Sequence, residues 1–239
     1  MIFEQNYQIL VEDFEADASM KLPAILRIFE NVGNGHSELA GDGIFKAISS
    51  NQAWVLSEWW IEILKLPKYT DNITAATWSH DLSSLLWATR DYVLKIDGEI
   101  CVKGMSKWIW FDLVQNKICK INTDILTGYK PEPTKLFGEQ KFDKIVANNE
   151  ILAQTSIFVR WSDFDFNGHV HNVNYLNYAI EALLANLQNK MDFKKIRISF
   201  KSPIVKKEEI LAKLSIENEA YIVQICDKFD QIKALVKFE

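Results

Sequence analysis

The stretch Arg160-Trp-Ser-Asp-Phe-Asp-Phe-Asn-Gly-His-Val-His-Asn-Val-Asn-Tyr175 packs Asp163, Asp165, Asn167 and His169 into a short polar loop directly ahead of a helix-like pattern. A helix start presents unpaired backbone N–H groups and a partial positive charge. Such an end can hold a developing oxyanion while His169 moves a proton or orients a water. That combination suits hydrolysis of an activated acyl group. Spacing alone fits a second reading equally well: a polar turn that caps the helix, with Asn167 or Asn172 as the cap.

Working outward, the loop follows a short strand at Thr155–Trp161 and precedes a helix at about Asn172–Gln188. Strands are expected at Lys195–Ser202, Ile210–Ile216, Ala220–Cys226 and Gln231–Phe238. The first half runs in the same order. Apolar residues recur at helical spacing at Leu22, Ile25, Leu26, Phe29 and Val32, with Pro23 suited to a first turn. Gly33, Gly35, Gly41 and Gly43 predict a loose exit. Runs rich in Trp, Ile, Val and Thr follow at Ala53–Leu66, Asn72–His80, Leu85–Ile96, Glu99–Asp112 and Lys117–Ile121. Asp97-Gly98 predicts a hairpin turn between two of them.

The halves also share local matches. Asp13-Phe14-Glu15 parallels Asp163-Phe164-Asp165, Leu66-Pro67 parallels Ser202-Pro203, and residues 88–94 echo residues 220–225. One long helix laid on a curved antiparallel sheet, twice over, is a double hot-dog of the α+β class. The expected division is a first domain at 1–125, a connecting segment at 126–150 carrying Gly128, Pro131, Pro133 and Gly138, and a second domain at 151–239.

The chain has 239 residues, 48% hydrophobic and 25% charged, with eight Trp and 14 Phe, enough apolar bulk for a sizeable core. A net charge of −5 argues against a general nucleic-acid binder. The start, Met-Ile-Phe-Glu-Gln-Asn-Tyr, has neither a basic region nor an apolar run, so no signal peptide is expected. No stretch reaches the roughly 20 apolar residues of a membrane span. Cys101, Cys119 and Cys226 lack metal-type spacing and point to a reducing compartment, with the cytoplasm the expected location.

Here the sequence resembles the acyl-acyl-carrier-protein thioesterases. Trp161-Ser-Asp-Phe-Asp-Phe-Asn-Gly-His-Val-His-Asn-Val-Asn-Tyr175 is similar to the family stretch W-S-D-x-D-x-N-x-H-V-N-N-x-x-Y. Trp54-Val-Leu-Ser57, Leu66-Pro67, Thr77-Trp78, Arg90-Asp91 and Ser106-Lys-Trp108 follow the family's order in the first half. The resemblance covers nearly the whole chain outside the connection. It implies that the second domain is catalytic, that the first contributes to the acyl pocket, and that the catalytic Asp, Asn and His fall on Asp165, Asn167 and His169. The first-half loop has Glu15, Asp17 and Ser19 instead, which predicts one active site per chain. The chain departs from the family at His171, where Asn is usual, and at Glu58, where Arg is usual. It departs again at Pro203, where many members carry a catalytic Glu, followed by Ile204 where the plant enzymes have Cys.

Lys194, Lys195, Arg197, Lys201, Lys206 and Lys207 form a basic run with no acid between them. Arg197, Ser199 and Lys201 share one strand face. This reads either as a solvated face or as a dock for an acidic acyl carrier protein. His36 and His80 have no polar company in sequence and read as structural or surface residues. The Trp-rich runs Trp59-Trp60 and Trp108-Ile-Trp110 read as core, with one face free to line an acyl tunnel.

The expected function is therefore hydrolysis of acyl-carrier-protein thioesters to free fatty acid during fatty acid synthesis, with attack by water. No metal or organic cofactor is implied, because a thioester is already activated. The partner is an acyl carrier protein, with a homodimer as the assembly to test. A non-catalytic acyl-binding protein and a 3-hydroxyacyl thioester dehydratase remain the alternatives.

Overall fold

The computed structural model describes residues 1–43, 46, 51–81, 84–187 and 192–239. They divide into two units, Met1–Lys141 and Phe142–Glu239.

In the first unit, β1 (Phe3–Asn6) leads into α1 (Leu22–Leu39), followed by β2 (Gln52–Ile63), β3 (Ile73–Ser79), β4 (Trp87–Ile96) and β5 (Glu99–Asp112). A short β6 (Lys117–Ile118) and α2 (Thr123–Tyr129) close it. The strands lie in the order β1-β3-β4-β5-β2, with β6 beside β5. Their pairings are antiparallel. The β4–β5 turn is the expected Asp-Gly hairpin: Asp97 and Gly98 have φ of 50° and 90°, the positive pair such a two-residue turn requires.

In the second unit, β7 (Ala153–Phe158) leads into α3 (Asn172–Asn186), then β8 (Lys195–Phe200), β9 (Glu209–Glu217), β10 (Ala220–Cys226) and β11 (Ile232–Phe238). The strand order β7-β9-β10-β11-β8 repeats that of the first unit element for element. Each long helix lies on its own antiparallel sheet, α1 against β1 and β3, α3 against β7, β9, β10 and β11. This is the double hot-dog of the α+β class. The expected helix end at Gln188 lies outside the described residues.

Two expectations are corrected. The helix α1 does not loosen at Gly33 and Gly35 but runs through both to Leu39. The glycines are there for close packing. A Cβ at Gly35 would meet the Phe3 ring at 2.7 Å, and one at Gly33 would sit 3.4 Å from the Tyr92 ring. The helix tolerates the propensity cost because Ile25, Leu26, Ile28, Phe29 and Val32 are buried around them.

The second correction concerns the connection. Residues 126–141 belong to the first unit. Leu126 and Tyr129 of α2 are buried with Trp110 and Ile121. The 131–137 segment is clipped to the sheet: Trp78 Nε1 donates to the Thr134 carbonyl at 2.8 Å, and the Leu136 amide donates to Asp91 Oδ2 at 2.7 Å.

Candidate active site

The loop ahead of α3 begins with a buried carboxylate. Asp163 accepts from the Arg160 amide at 2.8 Å and from the Tyr178 hydroxyl of α3 at 2.7 Å, and the Arg160 guanidinium closes on it at 3.1 Å. Its carbonyl accepts from the His171 amide at 2.8 Å and from Asn174 Nδ2 at 3.0 Å. Burial first, and the hydrogen bond to the Asp163 carboxylate second, push the Tyr178 hydroxyl well above its ordinary range, so it stays a donor. Asp163 thus ties both ends of the loop to the helix.

Asp165 organises the turn itself. Its Oδ1 accepts from the Asn167 amide at 2.8 Å and the His169 amide at 3.3 Å, and its Oδ2 faces Asn167 Nδ2 at 3.5 Å. The backbone closes with Asp165 N–H to the His169 carbonyl at 2.8 Å and Gly168 N–H to the Asp165 carbonyl at 3.1 Å. Gly168 takes φ of 73°, the left-handed region that this reversal needs. The structure therefore brings Asp165, Asn167 and His169 together in one hydrogen-bonded turn. Asn167 and His169 are exposed, and among the described residues the His169 ring has no hydrogen-bond or ionic partner.

The cap of α3 is His171, not Asn167 or Asn172. It is a backbone cap, since no side chain bonds back to the first turn. Among the described residues, nothing accepts from the Asn172 and Val173 amides, the first two of the helix. These are the donors a helix N-terminus leaves over, one step along the chain from the turn that carries His169.

A segment from another strand end supports the loop from below. The Val170 amide donates to the Ile204 carbonyl at 2.9 Å, and the Ile204 amide donates to the Tyr175 hydroxyl at 2.9 Å. Burial raises the Tyr175 hydroxyl to about 12. In the first unit the same carbonyl role belongs to Pro67, which accepts from the Met20 amide at 2.8 Å. The structural counterpart of Pro67 is thus Ile204, one residue past the expected Pro203. Pro203 itself is exposed.

Several sequence readings change. The basic run is not one exposed stripe. Arg197 and Ser199 are buried, and Arg197 donates to the Asp143 carbonyl. Lys194 pairs with Asp192 at 2.8 Å, Lys195 with Glu239 at 3.6 Å, and Lys201 donates to Ser199 Oγ at 2.8 Å. Acids outside the run meet its first members, Asp192 from two residues ahead and Glu239 brought in by folding. Lys206 and Lys207 are exposed and have no partner among the described residues.

His80 does have polar company. It is buried, with Nε2 at 3.0 Å from Asp91 Oδ2 and Nδ1 at 3.0 Å from Thr89 Oγ1. His36 is also buried, with Nδ1 3.1 Å from Arg90 Nη1, and burial followed by the Arg90 charge lowers it to about 4. Glu58 meets Lys107 at 3.4 Å. Sequence reasoning missed Asp163 and Tyr175 as the loop's anchors; both stand in the quoted stretch, and only tertiary contact reveals their partners.

A hollow of about 470 Å³ opens beside the turn, lined by Trp161, Phe164, Asp165, Phe166, Gly168, Val205 and Lys207. Among the described residues no group of three His, Cys, Asp or Glu could hold a metal ion, and no helix is long and apolar enough to cross a membrane.

With this geometry in hand, the chain can be set beside known proteins. The family model for the acyl-ACP thioesterase N-terminal domain matches residues 1–129, and that for the C-terminal domain matches residues 146–234. The chloroplastic palmitoyl-acyl carrier protein thioesterase of Arabidopsis thaliana is 22% identical over 214 residues, 84% of this chain and 52% of its own. The chloroplastic oleoyl-acyl carrier protein thioesterase 1 of the same plant is 23% identical over 216 residues, 83% of this chain and 59% of its own. The chain thus spans about half the length of the curated relatives it matches. The 12:0-ACP thioesterase from Umbellularia californica superposes with a TM-score of 0.85 at 14% identity, covering 100% of this chain and 96% of that one. An acyl-ACP thioesterase from Bacteroides thetaiotaomicron VPI-5482 gives 0.87 at 17% identity, covering 99% and 96%. At such identities the structural likeness establishes the shared fold.

Proposed function

The chain belongs to the acyl-ACP thioesterase family, and from that premise we propose that it hydrolyses acyl-carrier-protein thioesters to free fatty acid and carrier thiol, in fatty acid synthesis. The observation that carries the mechanism is the turn ahead of α3, where an exposed His169 and the Asn167 carboxamide precede by three to six positions the Asn172 and Val173 amides, which have no acceptor among the described residues.

In the proposed reaction His169 takes a proton from water as the water oxygen attacks the thioester carbonyl carbon. The carbonyl oxygen becomes an oxyanion. Asn167 Nδ2 and the amides at the start of α3 hold it, because such donors gain most where negative charge develops. The intermediate then collapses, the C–S bond breaks, and the His169 imidazolium returns its proton to the leaving sulfur. Asp165 acts as a positioning residue by fixing the turn. Glu is absent at position 203, so the water is activated by His169 with Asp165 as the nearby acid on the loop. The three cysteines are free thiols, two of them buried, in keeping with a reducing compartment such as the cytoplasm. The homodimer is a matter for light scattering.

The test is direct. Pure protein incubated with acyl-carrier thioesters should release one thiol per fatty acid formed, followed with a thiol-reactive dye. Formation of an enoyl product without thiol would replace hydrolysis with dehydration.

A further inference from the structure

The four most exposed aromatic side chains among the described residues all stand in the second unit: Phe158 at 62%, Trp161 at 77%, Phe166 at 65% and Phe229 at 81%. Strand register puts them at one end of its sheet. Phe158 closes β7 opposite Glu209, the first residue of β9. Phe229 lies in the turn between β10 and β11, beyond the pair Cys226 and Ile232 that ends the ladder on that side. Trp161 and Phe166 lie in the loop that leaves β7 there. The segment 201–208 crosses this end from β8 to β9, and its Ile204 and Glu208 carbonyls accept from the Val170 and Val159 amides at 2.9 and 3.0 Å. On that segment Val205 is exposed and lines one hollow with Trp161 and Phe166.

Each ring is held outward on a fixed backbone. Asp227 Oδ1 accepts from the Phe229 and Gln231 amides at 2.9 and 3.0 Å. Asp165 fixes the turn that carries Phe166, and Trp161 opens a 3-10 turn closed by the Phe164 amide. Side chains presented in this way lose little freedom on binding. Large apolar groups clustered in the open mark an interaction surface.

Charge separates the kinds of partner. Residues 158–170, 201–213 and 227–233, which make up this end, hold seven Lys and Arg against six Asp and Glu, a balance of +1 in a chain of −5. The rest of the chain is therefore acidic, and this end is the one suited to approach an anionic surface. Lys206 and Lys207 stand exposed on it, and Lys228 lies 5.2 Å from the Phe229 ring centroid. Lysine is depleted from the cores of protein–protein interfaces. At a bilayer its stem lies along apolar groups while its ammonium reaches the lipid phosphates. Separate aromatic tips with lysines between them fit lipid better than they fit a second copy or another protein.

We propose that this end of the second unit docks on the surface of a phospholipid bilayer. Phe158, Trp161, Phe166 and Phe229 seat among the headgroups and the upper acyl chains, and Lys206, Lys207 and Lys228 face the lipid phosphates. The contact does not depend on the hydrolase reading. On that reading it has a consequence, because the turn with His169 stands at the same end and the fatty acid would leave it beside an apolar phase.

Flotation with vesicles of phosphatidylcholine, with and without phosphatidylglycerol, tests it. The native protein should float with both and bind the phosphatidylglycerol vesicles more tightly. Phe158→Ser with Phe229→Ser should lower vesicle affinity by about tenfold or more, the scale of burying one such ring. Lys206→Glu with Lys207→Glu should remove the preference for phosphatidylglycerol. Val114→Ser, an exposed apolar site in the first unit, should change nothing. Circular dichroism and thiol release from a soluble acyl thioester should stay native in the double Phe variant, so a failed hydrolase reading shows in the thiol assay and a failed docking surface in the flotation. Lipids brominated on the acyl chains should quench the native fluorescence more than that of Trp161→Phe. A native protein that does not float, or a double Phe variant that floats equally well, would overturn the proposal. A dimer in sedimentation that the double Phe variant splits would give the surface to a second copy. Retention on immobilised acyl carrier protein that the same variant loses, without flotation of the native protein, would give it to the carrier. Either result overturns the bilayer assignment.

Discussion

The loops at 10–21 and 160–171 are built on the same backbone and differ in what they offer to a substrate. In each, an amide three residues back donates to a buried Asp, Leu10 to Asp13 at 3.3 Å and Arg160 to Asp163 at 2.8 Å. In each, that Asp is held from the following helix, by Arg27 on α1 or by Tyr178 on α3. The closing bonds repeat as well: Glu15 N–H to the Ser19 carbonyl and Asp165 N–H to the His169 carbonyl, both 2.8 Å. Yet where the second loop has His169, the first has Ser19, bonded to Asp17. Where the second helix starts with the Val173 amide, which has no acceptor among the described residues, the first has Pro23, which carries no N–H. The scaffold is common; His169 and the N–H at the second position of the helix are confined to one copy. The turn is therefore a structural joint first, and in the proposed mechanism a few side chains add chemistry to it.

The largest effect should come from the residue that separates the loops most sharply. His169→Ala should lower kcat by about a hundredfold or more, the usual scale of an acid–base group. Ser19→Ala in the sister loop should change it less than twofold. A folded His169→Ala enzyme with near-native turnover would erase the functional asymmetry between the halves.

The next effect uses the helix starts. Val173→Pro gives the second helix the first turn of the first helix and removes one amide donor. Proline is well tolerated there, as Pro23 already demonstrates. If that amide holds the oxyanion, kcat should fall about a hundredfold, the cost of one such donor, with KM little changed. Native turnover in a folded Val173→Pro variant would remove the helix start from the mechanism.

How much of this could be read from residues alone follows the range of the interaction. The turn, its Asp-Asn-His set and the Asp97-Gly98 hairpin were legible because they depend on neighbours a few positions apart. The repeated order of strands was legible because hydrophobic patterns and the resemblance both carried it. The length of α1 was not: Gly33 and Gly35 look like breakers until the Phe3 and Tyr92 rings are seen against them. The partners of Arg197 and His80 lie more than fifty residues away or across a strand pair, so a run of like charges looked freer than it is, and a histidine looked lonelier.

Histidine placement sharpens the contrast between halves. The first unit buries His36 and His80, whereas His169 is exposed and His171 half-buried. His36 is held at about 4, well below its ordinary 6.5, so the unfolded chain binds a proton that the folded one refuses across that interval. Stability should then be level above about pH 7 and fall as the pH drops from 6.5 toward 4. The loss between pH 7 and pH 5 should be about 2 kcal/mol. Denaturant titrations of the native protein and His36→Gln would check it; an equally steep decline in the variant would place the acid sensitivity elsewhere.

The smallest effect concerns the residue at the apex of each turn. Gly168 and Ala18 occupy equivalent positions with φ of 73° and 62°. The second loop has the residue suited to that conformation and the first does not. A left-handed conformation costs a residue with a Cβ roughly 1–2 kcal/mol, while glycine loses more entropy on folding, about 0.4–1 kcal/mol relative to alanine. The two terms oppose one another, and the conformational term is the larger. A Cβ added at Gly168 meets no atom within 4 Å, so no clash enters the balance. Gly168→Ala should therefore destabilise the protein by under about 1 kcal/mol, and Ala18→Gly should stabilise it by a similar amount. Urea midpoints at unchanged slope would measure both. Opposite signs of equal size would show that the two turns share one backbone energy as well as one hydrogen-bond pattern. A loss in both variants would mean that Ala18 gains something from its methyl group that the sister loop does not need.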